Sequence, residues 1–67
     1  MMYQVTGHVH IETGNETRLV QLPTFFLDAD IQGIVDCDHA KRIAANMIQS
    51  VMTAPSAVFL YVIERPN

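Results

Sequence analysis

Ala40, Ile43, Ala44, Met47, Ile48, Val51 and Met52 recur at i, i+3, i+4, i+7, i+8, i+11 and i+12, the spacing of one apolar stripe along an α-helix. This is the strongest periodic signal in a chain of 67 residues. It predicts a helix over 39–53, with Asp38 as N-cap, where a carboxylate accepts from the free first-turn amides, and with Pro55 as terminator. One helix covers only one face of a sheet. The rest of the chain therefore has to make strands whose other face is wet, or is covered by something else.

Residues 1–12 alternate with the period of a half-buried strand: Tyr3, Val5, Gly7, Val9 and Ile11 face one way and Gln4, Thr6, His8, His10 and Glu12 the other. Thr13-Gly14-Asn15-Glu16 supplies turn residues, and a second strand is expected over 17–27, making a β-hairpin. Pro23 cannot donate to a ladder, so this strand has to stop, be interrupted or lie on an edge. Residues 28–38 mix turn-forming aspartates and Gly33 with Ile31, Ile34 and Val35, which reads as an ordered connection pinned to the core. A last strand over 57–64 is apolar on both alternating faces, the pattern of a strand buried above and below. The fold class is α+β: a single ββαβ domain over residues 1–67, with a three-stranded, mainly antiparallel sheet and one helix packed on one face.

A chain this short has to bury about 60% of its unfolded surface, and ordering costs nearly cancel the gain. Cys37 is the only cysteine, so no intrachain disulfide can help. A second copy is the simplest remedy, because the final strand has apolar groups on both sides: either Val58, Leu60 and Val62 or Phe59, Tyr61 and Ile63 need a cover. A homodimer is expected, with Phe25, Phe26, Val58, Leu60 and Val62 as the partner or self-association surface. The alternative is a monomer in which the Phe25 to Val35 connection folds back over the spare face.

Four Lys and Arg against seven Asp and Glu give a net charge of −3, and Arg18, Lys41, Arg42 and Arg65 are scattered. Without a basic stripe the counterion-release term behind most nucleic-acid binding is missing, so nucleic acid is not an expected partner. The longest apolar run, Ala57 to Ile63, is far short of a membrane span. Residues 1–12 lack the basic and continuous apolar stretches of an export signal, and with a lone thiol this points to a cytoplasmic protein.

His8, His10, Cys37 and His39 are the donors that could complete a tetrahedral zinc site and so stabilise a small fold. The competing reading is two solvated strand histidines, a half-buried thiol and a first-turn histidine. Cys37 near a helix start also raises a nucleophile paired with His39, but residues at i, i+2 there point apart, and no catalytic constellation emerges. Asp28, Asp30, Asp36 and Asp38 lack the ligand alternation of a calcium loop and suit turns and caps. No cofactor is expected, and Met47 and Met52 read as core.

The segment Pro23-Thr-Phe25-Phe26-Leu27-Asp28-Ala-Asp30-Ile31-Gln32-Gly33-Ile34-Val35, followed by His39-Ala40 and Ile43-Ala44, resembles small accessory proteins of bacteriophages that infect actinobacteria. The likeness covers residues 23–48 and carries no catalytic motif. It implies a protein made in the host cytoplasm that acts on a host protein. The expected function is a noncatalytic protein-binding or regulatory module engaging a host or phage protein, the alternative being the zinc-binding domain.

Overall fold

The computed structural model describes residues 1–52 and 55–65. Its longest strand, β1 (Met2–Thr13), is the centre of the sheet. The two-residue turn Gly14-Asn15, with Gly14 at φ 63°, reverses the chain into β2 (Glu16–Gln21), which pairs antiparallel with the far half of β1. Beyond Pro23, β3 (Phe25–Asp28) pairs antiparallel with the near half, from Met2 to Val5. β4 (Ala57–Arg65) runs antiparallel along the other edge of β1, Met2 opposite Arg65 and His10 opposite Ala57. The four strands thus lie three abreast, in the α+β class that the pattern predicts.

The proline interrupts an edge strand, as its missing N–H requires. Between His8↔Gln21 and Val5↔Phe25, the two β1 residues Thr6 and Gly7 face three, Leu22, Pro23 and Thr24. The extra residue acts as a bulge, so that Leu22 and Phe25, three apart, both turn to the core side. The Leu22 N–H still donates to the Gly7 carbonyl at 2.9 Å.

Between β3 and β4 come two helices, α1 (Ala29–Gln32) and α2 (Cys37–Val51). Asp28 caps α1 by accepting from the Asp30 and Ile31 amides. Gly33, at φ 65°, ends it in the left-handed region, where glycine has no Cβ penalty, and the Ile34 N–H returns to the Ala29 carbonyl. The α2 N-cap is Asp36 rather than Asp38: extended at φ −158°, it accepts the His39 amide at 2.7 Å. The helix accordingly starts two residues before the expected 39, and the expected final residue, 53, lies outside the described residues.

α2 rests on β4 and β1 through Ala40, Ala44 and Ile48, one turn apart, and the two alanines let it come close to the sheet. Beneath it are Tyr3, Val5 and Leu60, with Leu27, Ala29 and Ile34 closing the β3 side. Val51 shares the apolar stripe yet is 78% exposed, and Met47, expected in the core, is also exposed, while Ile48 between them is buried. In the connection Ala29 and Ile34 are buried, whereas Ile31 and Val35 point outward. β2 is exposed along its whole length, so the hairpin projects beyond the helix layer and the molecule is long, 44 × 16 × 16 Å.

The position of the final strand departs from expectation. β4 is an edge strand and only Leu60 in it is fully buried. β1 takes the centre because its twelve residues offer enough length for β3 and β2 in series on one side and β4 on the other.

Gly7 holds β1 and β4 together at their midpoint. A Cβ there would run into the Phe59 carbonyl oxygen and leave the Leu60 side chain 3.0 Å away. Gly7→Ala is expected to cost about 2 kcal/mol or more in urea denaturation, because the obstacle is backbone. Thr6→Ala, next door on the opposite face, should cost under about 1 kcal/mol. Tyr3 gives a pH signature. Burial, followed by the charges of Glu64, Cys37 and Asp36, holds its phenol above its ordinary value. The unfolded chain therefore gives up this proton first. The stabilisation is complete below pH ~10 and is lost as pH rises through the higher folded value. Melting temperature should fall more steeply from pH ~10 up to that higher value in the native protein than in Tyr3→Phe.

Candidate functional site: the open face of the sheet

Pleating sends the even-numbered residues of β1 away from α2, and cross-strand partners share a face. Gln4 stands between Ile63 and Phe26, Thr6 beside Tyr61, His8 between Phe59 and Gln21, and His10 between Ala57 and Leu19. No element among the described residues crosses this face: both helices follow β3, and the connection sends Ala29 and Ile34 into the cluster on the α2 side. The connection thus leaves the spare face open. Phe59 is 43% exposed, Tyr61 61% and Ile63 50%.

The centre of the face is an aromatic cluster. Phe59 stacks on His8, ring centroids 4.9 Å apart at 21°, and lies tilted against His10 at 5.1 Å. The two imidazoles are 5.6 Å apart. The backbone around them is tied down: Ser56 donates its amide at 2.8 Å and its hydroxyl at 3.0 Å to the His10 carbonyl, and Gln21 Nε2 reaches the Gly7 carbonyl at 3.3 Å. The face is therefore tied down, aromatic and free of carboxylate, lysine and arginine at its middle.

The predicted surface residues divide between the two sides. Val58, Leu60 and Val62 lie opposite Val9, Gly7 and Val5 and face α2, with Leu60 buried. Phe25 also packs on the core, and Phe26 is half exposed at the β3 edge. The open set is instead Phe59, Tyr61 and Ile63, for which the signal was the same apolar alternation read in the other phase. Phe25 and Phe26 of β3 and Met47, Ile48 and Val51 of α2 line a shallow apolar groove of about 330 Å³.

The four zinc donors do not meet. His8 and His10 are on the open face, whereas Cys37 packs against the core on the far side of the sheet. His39, in the first turn of α2, ties down the loop before it: its Nδ1 accepts the Val35 amide at 3.2 Å and its own amide donates to Asp36. Among the described residues no group of three or more His, Cys, Asp and Glu converges as a metal site. The sheet itself separates the two halves of the proposed quartet. Cys37 and His39 are likewise claimed separately, one by the core and one by the loop.

The positive residues are not gathered either. Lys41 and Arg42 share an open hollow with Asp36 and Asp38 at the start of α2, Arg18 is on β2, and Arg65 ends β4. No helix among the described residues is long and apolar enough to cross a membrane. Comparison with family models, with curated proteins and with solved structures finds no match.

Chelation supplies a direct check of this geometry. Excess EDTA should leave the melting temperature of the untagged protein unchanged, and Cys37→Ser should alter stability only by the small amount of a half-buried thiol, about 1 kcal/mol.

Proposed function

We propose that this chain is a noncatalytic protein-binding module that docks through the open face of its sheet, associates with itself, and acts on a host or phage protein in the host cytoplasm. The observation that carries the reading is the row Phe59, Tyr61 and Ile63, three large apolar side chains side by side on one uncovered face. Small soluble domains rarely leave such a row unpartnered. The surface supports it. A compact chain of 7.5 kDa exposes roughly 4,250 Å², and this one exposes 4632 Å². The surplus, roughly 400 Å², is consistent with a face that another molecule covers.

The host or phage setting comes from the resemblance of residues 23–48, and the noncatalytic character from the separate engagement of Cys37 and His39. The shape suits a docking role: the hairpin and β4 form one continuous sheet face, and Tyr and Phe bring large contact area for little lost rotamer freedom.

Light scattering across a dilution series tests the proposal. The native protein should move from dimer to monomer on dilution. Tyr61→Glu, an exposed substitution that leaves the core alone, should raise the dissociation constant at least about tenfold, or 1.4 kcal/mol. A native chain that stays monomeric at every concentration would overturn self-association.

A further inference from the structure

The open face has charge only at its ends. From Gln4 to His10 on β1 and from Ala57 to Ile63 on β4 there is no carboxylate, lysine or arginine. Glu12 stands at the hairpin end of β1, and Arg65, opposite Met2, at the other. Asp28 flanks Met2 as well, but its carboxylate is turned to the α1 amides.

We propose that a second copy covers this face, sheet on sheet, about a two-fold axis running across the strands, so that β1 lies antiparallel over its counterpart and Glu12 meets Arg65 of the partner subunit. The proposal rests on the reading of the open face as the docking surface and supplies its occupant. The alternative axis, along the strands, would set Glu12 against its own copy, a like-charge contact. Edge-to-edge pairing of two β4 strands is blocked by α2, which rides mainly over β4. The strands would be ~4.8 Å apart, while packed helices need about 8–10 Å. The face measures roughly 30 by 14 Å from nine paired residues and three strands, so two copies bury about 840 Å², somewhat more with side-chain relief. That is below the ~1,200 Å² of stable specific interfaces and within the range of weak, transient ones, which fits a dimer that dissociates on dilution.

The antiparallel arrangement brings Phe59 and His8 over Tyr61 and Thr6 of the partner subunit and encloses both histidines of each copy. Around them stand Gln21 and Leu19 from β2, Phe59 and Tyr61 from β4, and Glu12 further along β1. From the opposing copy come Tyr61 and, beyond His10, Arg65 of the partner subunit. The one carboxylate near them is engaged by that arginine. Acidification therefore places up to four imidazolium charges in a face with no free counter-charge, and it opens the dimer.

Sedimentation equilibrium at pH 8 and pH 5 in low salt tests both parts. At pH 8, Glu12→Arg and Arg65→Glu should each weaken the dimer by about tenfold, and the double variant, which restores opposite charges, should recover most of the loss. Single variants without effect, or a double variant as weak as the singles, would overturn the register. The native dimer should weaken at least about tenfold at pH 5, and His8→Gln with His10→Gln should abolish that sensitivity. A dimer equally tight at both pH values would overturn the enclosure of the histidines. Failure of the native chain to dimerise at pH 8 at all would strike the docking reading itself and is distinct from both.

Discussion

The close seating of α2 on the middle of the sheet is the contact on which the rest of the structure depends. It rests on the small side chains of Ala40 and Ala44 on the helix face that meets the sheet, over a β1–β4 pair held close where Gly7 lets the Phe59 carbonyl pass. With the helix this close, Tyr3, Val5 and Leu60 are sealed, and ten apolar side chains among the described residues form the buried core. A core of that size is slight for a free-standing domain. Because one helix can cover only one face, sealing that side leaves the other open by geometry.

Much of this was legible in the residues. The i, i+3, i+4 stripe of α2, the alternation of β1 and the Gly14-Asn15 turn are local signals, and each became the element it implies. Pro23 announced an interruption on an edge, and β3 follows it across a bulge. What remained hidden was nonlocal. Apolar alternation on both faces of residues 57–63 looks the same in a central strand and in an edge strand with an uncovered face. Only the pairing partners decide, and they put β1 in the centre. Asp36 and Asp38 are equally good caps by type, and the extended backbone at Asp36 selects the first. The His8, His10, Cys37 and His39 set failed for a similar reason: sequence spacing says nothing of which side of a sheet each donor occupies.

The side opposite α2 therefore holds the functional weight of the account. Its centre is aromatic, its charges sit at the ends, and its backbone is tied through Ser56 and Gln21. The same face that a minimal core leaves uncovered becomes the means by which the small domain gains a second layer.

The most direct test of this account is concentration-dependent NMR shift mapping on the native protein. Side-chain and amide signals of His8, Phe59, Tyr61 and Ile63 should move together on dilution, while those of Met47 and Val51 on the far side of the sheet stay in place. Shifts confined to the Met47 and Val51 groove, or none at any concentration, would contradict the open face as the docking surface.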